Sequence, residues 1–127
     1  MKYTPEVITK LEPNQVFVFG SNLRGAHGAG AAKTALKFGA IYGAGVGHFG
    51  QTYAIPTKDL YIKTMRLGKI QGYVDTFLDY VRACPSLEFL VTKIGCGLAG
   101  YTTTEMAGLF KSKNIPSNVV LPIEFQS

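Results

Sequence analysis

Nine of the chain's fifteen glycines lie between Gly20 and Gly50, and three more between Gly95 and Gly100. Each cluster follows a short apolar run of β-forming residues and precedes a stretch with helical patterning. Val16-Phe17-Val18-Phe19 is one such run, closed by Gly20, and its unbroken hydrophobicity reads as a strand buried on both faces. Residues 87–92 lead in the same way into the second cluster. Turns between a strand's carboxyl end and a helix are where open parallel sheets bind ligands, so the glycines constrain both the fold and the place of its site.

The rest of the pattern alternates strand with helix. Residues 29–38, rich in alanine, suit a helix that ends at Gly39, which tolerates the left-handed cap conformation. Tyr53-Ala54-Ile55 makes a second strand, with Pro56 limiting its continuation in a central position. Ile70, Val74, Phe77 and Val81 recur at helical spacing and Pro85 stops the helix they define. Thr102 and Glu105 have the spacing of a capping box, so a helix is expected over about residues 103–113. Residues 118–121 supply a last strand, and Glu6 to Thr9 an antiparallel edge strand. This order predicts an α/β domain in three α/β/α layers around a mixed, mostly parallel central sheet.

A chain of 127 residues, 46% of them hydrophobic, fits one domain spanning residues 1–127. Cys84 and Cys96 lack the spacing of a zinc site or redox pair, and His27 and His48 lack carboxylate neighbours, so neither metal nor cofactor is expected. No charged-then-apolar leader and no span of roughly 20 apolar residues is present, which predicts a cytoplasmic protein without membrane contact. The net charge of +5 favours anionic partners, although its lysines and arginines are scattered and form no basic arm.

The chemistry follows from the glycines. A helix start carries free N–H groups and the positive end of the dipole, and small residues let a phosphate reach them. Gly28-Ala29-Gly30-Ala31 at one helix start and Gly95-Cys96-Gly97-Leu98-Ala99-Gly100 after the later strand make two such cradles, suited to a diphosphate gripped from both sides. Neither the dinucleotide fingerprint with its acidic residue nor a GxxxxGK[ST] loop is present, which argues against a dehydrogenase and an ATPase. Cys96 reads as a small loop residue rather than a nucleophile, because no base is assigned beside it. Ser21, Asn22, His27 and Tyr101 are the polar and aromatic residues of the same loops.

Three segments together resemble the macrodomains, in particular the branch that contains terminal ADP-ribose glycohydrolase. They are Gly28-Ala29-Gly30-Ala31-Ala32 through Lys37-Phe38-Gly39, Ile55-Pro56-Thr57-Lys58, and Ile94-Gly95-Cys96-Gly97-Leu98. The resemblance implies a macrodomain-like fold and a ligand, ADP-ribose or an ADP-ribosylated protein or nucleic acid, with the diphosphate between the two loops. It implies that Asn22 lies near the distal ribose. It also aligns Lys58 with the lysine that attacks the distal ribose in that branch, whereas the branch's assisting aspartate is Ala99 here. The expectation is therefore an ADP-ribose-binding module, the alternative a hydrolase using Lys58 to remove ADP-ribose or a phosphate from an ADP-ribose derivative. A polynucleotide-binding module using the positive charge is a third reading, marked by strong salt dependence and no preference for ADP-ribose.

Overall fold

The structure, a computed structural model, describes residues 2–111 and 114–126. Its elements in chain order are β1 (Gln15–Asn22), α1 (Gly30–Ala35), β2 (Gly47–Phe49), β3 (Thr52–Lys58), α2 (Leu67–Arg82), β4 (Glu88–Val91), α3 (Thr103–Lys111) and β5 (Val119–Val120). The five strands form one sheet in the order β2-β3-β1-β4-β5. Only β2 runs antiparallel to its neighbour. The α/β class and the mostly parallel sheet agree with the sequence pattern.

The strand order dictates where the helices go. From β1 the chain crosses to β3 on one side; from β3 it passes back over β1 to β4 and then on to β5. Right-handed crossovers in opposite directions place the connecting helices on opposite faces. The burial of β1 agrees, because its side chains alternate between two cores. Val16 and Val18 pack with Ile70, Val74, Phe77 and Val81 of α2 and with Met106 and Phe110 of α3, while Phe17 and Phe19 pack with Ala32 and Ala35 of α1. The 16-residue α2 buries Ile70, Val74, Phe77, Leu78 and Val81, one stripe at helical spacing. At the start of α3 the Thr102 hydroxyl accepts from the Glu105 N–H at 3.1 Å and the Glu105 carboxylate from the Thr102 N–H at 2.9 Å, the capping box in full. Among the described residues no helix is long and apolar enough to cross a membrane.

Several expectations are corrected. Residues 6–9 form no strand; the N-terminal segment attaches through Thr4, whose N–H donates to the Leu121 carbonyl and whose hydroxyl donates to the Val120 carbonyl, each at 3.0 Å. The antiparallel edge strand is β2, which pairs Gly47–Phe49 with β3. β3 does not stop at Pro56 but runs on to Lys58 beside β1. The bond from the Phe17 N–H to the Gln51 carbonyl begins an alternation that turns Tyr53 and Ile55 toward β1, up to the register shift between Ser21 and Asn22. The nitrogen of Pro56 thus faces the other edge, where pairing with β2 has already ended at Ala54, and no ladder bond is lost. The first helix is α only to Ala35 and tightens into a 3-10 turn over Leu36–Phe38 before Gly39, whose φ is 109°. Residues 112–113 of the expected last helix lie outside the described residues.

Candidate functional site

The chain leaves β1 toward the β3 side and leaves β4 toward the β5 side, so the crevice between their carboxyl ends is the switch point of the sheet. A cavity of about 460 Å³ lies there. One wall is the loop after β1 with the start of α1, the other the loop after β4, and the end of β3 closes the floor with Thr57 and Lys58. Of the residues picked out from the sequence, Ser21, Asn22, Gly28, Ala29, Gly30 and Ala31 stand on the first wall, Gly95, Gly97, Leu98 and Ala99 on the second, and Lys58 at the end of β3.

The glycines of these walls divide into two sets. Gly95 has φ of 75°, a conformation that strains any residue with a side chain, and away from the cavity wall a methyl group on Gly45 would meet the Asn22 carbonyl oxygen at 2.0 Å, so the fold itself demands glycine at both. At Gly28, Gly30 and Gly97 the added carbon would meet nothing within 4 Å. Of these three, only Gly30 needs glycine for its backbone, with φ of 60°. Gly28 and Gly97 border open space without any demand from the fold. Beside them the N-terminus of α1 has Ala29 at its cap position and no side-chain cap, which leaves the first N–H groups of the helix without intrahelical partners.

Most polar groups of the loops are spent on architecture. The Asn22 amide donates to the Ala26 carbonyl and accepts from the Ala26 N–H, both at 2.9 Å, closing the turn after β1. The Ser21 hydroxyl donates to the Gly45 carbonyl, and that of Thr57 to the Ser21 carbonyl at 3.3 Å. Lys58 differs: among the described residues no ion pair engages it. Its neighbour Asp59 turns its carboxylate into its own turn, accepting from the N–H groups of Tyr61 at 2.8 Å and Lys63 at 3.0 Å. Among the described residues none that lines the cavity is acidic.

Four of the expected residues stand outside the cavity wall. His27 is fully buried, its Nε2 at 3.2 Å from the Ala44 carbonyl and its ring against those of Phe19 and Tyr42. Cys96 hydrogen-bonds the Ile94 carbonyl at 3.5 Å; burial pushes its thiol up, opposed by Lys93 and reinforced by Glu124 and Glu105, so it stays protonated near neutral pH. The Tyr101 hydroxyl donates to the Met65 carbonyl at 2.5 Å and its N–H to the Gly95 carbonyl at 2.9 Å, a strut between the second loop and the approach to α2. Gly100 closes the same loop by donating to the Gly97 carbonyl at 3.0 Å.

Thr57, Ile62, Thr92 and Lys93 line the cavity without having been singled out. For Thr92 and Lys93 the signal was available, because they follow β4 as Thr57 and Lys58 end β3. Lys93 is engaged, bonding Glu6 at 3.0 Å with Glu124 at 3.8 Å, and the Glu6 hydrogen bond holds its ammonium above its ordinary value. The chain matches no protein-family model, no curated protein and no solved structure.

Proposed function

We propose that the chain is a macrodomain-like module that binds ADP-ribose, free or attached to a protein or nucleic acid, in the switch-point cavity. The observation that carries this reading is the set of unoccupied positions beside Gly28, Gly30 and Gly97, which lie on two walls of one cavity. Side chains are missing where a phosphate would otherwise be held off the backbone, and the uncapped start of α1 supplies donors and a favourable dipole. The volume falls within the roughly 300–1,000 Å³ usual for small-molecule sites. The three segments that resemble macrodomains all contribute to the cavity wall, which supports ADP-ribose over other diphosphates. Calorimetric titration tests the reading: ADP-ribose should bind well ahead of AMP and ribose 5-phosphate, and equal affinity for all three overturns it.

A hydrolase reading rests on Lys58, which lines the cavity and among the described residues enters no ion pair. Against it stand Ala99 at the position of the branch's aspartate, a cavity wall without an acidic residue among the described residues, and the engagement of Asp59 in its own turn. A lysine attacks carbon only as the free amine, generated by a neighbouring base or cation, whereas as the ammonium it attracts phosphate or a ribosyl hydroxyl. Lys58→Ala should therefore weaken ADP-ribose binding, while wild type releases little ADP-ribose from modified protein or nucleic acid. Robust release that disappears in Lys58→Ala would establish the enzyme instead.

A further inference from the structure

Ile62 has φ of 62° and is the only non-glycine residue with left-handed φ among the described residues. A branched side chain is strained in that conformation, which glycine or asparagine adopts at far less expense. The surrounding turn imposes it. The Asp59 N–H donates to the Lys63 carbonyl at 2.8 Å, the Ile62 N–H to the Asp59 carbonyl at 3.1 Å, and the Asp59 carboxylate accepts two further N–H groups. A bridge between Lys58 and Thr64 closes the turn, and the Thr64 hydroxyl fastens it to the Ala99 carbonyl at 2.9 Å. These bonds fix the backbone whatever side chain stands at position 62. Turns in which a left-handed residue precedes the returning strand ordinarily carry glycine there.

Ile62 is half-buried yet belongs to neither hydrophobic core and is not packed against one, so core packing does not account for isoleucine either. It does line the cavity, with Lys58 and with Leu98 and Ala99 of the second loop. Residues held in strained backbone conformations by their surroundings cluster at active sites and ligand clamps, and this one borders the cavity.

Resting on the ADP-ribose reading, we infer that Ile62 is a specificity-determining residue whose side chain packs against the terminal sugar of the ligand at the Lys58 end of the cavity. The apolar wall of Ile62 and Leu98 suits the carbon face of a sugar ring, while Lys58 meets its hydroxyls. On this reading a ligand that ends at the diphosphate leaves Ile62 without a contact.

The test compares wild type, Ile62→Gly and Ile62→Asn for thermal midpoint and for affinity toward ADP-ribose and ADP. Both variants should unfold at the wild-type temperature or above, bind ADP-ribose at least tenfold more weakly, and bind ADP within about threefold of wild type. Selectivity for the terminal sugar is thereby lost without loss of fold. Variants that retain wild-type preference for ADP-ribose over ADP overturn the role of Ile62 alone. Variants that unfold at lower temperature show that the side chain is kept for stability and overturn it as well. If wild type binds no ADP-ribose, the reading beneath the inference fails and the inference falls with it.

Discussion

Replacing Gly97 by glutamate directs a carboxylate into the cavity at a place where an added side-chain carbon meets no heavy atom within 4 Å and the backbone is not left-handed. The fold accommodates the change, so the loss falls on the ligand. Its size follows from Coulomb's law. A carboxylate about 6 Å from a doubly charged diphosphate repels it by about 1.4 kcal/mol at the dielectric of water and about 5.5 kcal/mol at an effective dielectric near 20. Gly97 is exposed, so the lower figure governs, and at low ionic strength it corresponds to about tenfold in affinity. Near 0.15 M salt a screening length of about 8 Å halves the energy, leaving about threefold.

Gly97→Gln separates charge from bulk, because it fills nearly the same space without the negative charge. Calorimetry with ADP-ribose at low and at physiological salt should show Gly97→Glu about tenfold weaker than Gly97→Gln in the first buffer, with the gap closing in the second. Near-ultraviolet circular dichroism verifies that both are folded. Equal binding by two folded variants at low salt would mean that no phosphate lies against this loop.

Two further outcomes concern stability. Phe77 is fully buried, with the rings of Tyr53 and Phe89 at 4.9 and 5.7 Å; Phe77→Ala should lower stability by about 3–5 kcal/mol, read from the urea midpoint. Hydrogen bonds from Lys2 and Gln15 hold the Glu88 carboxyl below its ordinary value, so its contribution is present above the unfolded-state pKa and lost as pH falls through the folded one. Between about pH 5 and lower pH, Glu88→Gln should therefore lose less stability than wild type in urea titrations, by well under about 1 kcal/mol for so exposed a pair.

The elements legible in the sequence are those whose signals are local. The stripe from Ile70 to Val81, the unbroken run in β1 and the Thr102–Glu105 box each specify their structure within one or two turns of chain. β2 was illegible because Gly47-His48-Phe49 carries no strand pattern of its own. It is a strand because the free edge of β3 needs a partner and Gly50, with φ of 57°, turns the chain back onto that edge. Pro56 misled for the same reason, since whether its missing N–H matters depends on which neighbour lies on that side. His27 shows the limit for the site: its place in a glycine loop suggests a ligand, yet the loop folds back until Ala44, Phe19 and Tyr42 enclose it.

The glycines themselves give the sharper case. In the sequence Gly25, Gly28, Gly30, Gly45, Gly95 and Gly97 are equivalent members of two clusters. In the fold, a side-chain carbon on Gly25 would stand 2.3 Å from the Gly43 backbone, and those on Gly45 and Gly95 would collide with the Asn22 carbonyl and with Met106. Gly25 and Gly45 serve the close approach of chain to chain, and Gly95 a left-handed backbone with φ of 75°. Gly28, Gly30 and Gly97 have no such neighbour, which they share with Gly68, Gly72 and Gly108 of α2 and α3, and only their place on the cavity wall sets them apart from those. Glycine number alone cannot separate the two kinds, because both give the same letter. The separation requires knowing what stands opposite each backbone carbon, and it turns a compositional hint into a claim about particular positions: alanine at Gly25, Gly45 or Gly95 disturbs the fold, whereas at Gly28 or Gly97 it disturbs only what binds.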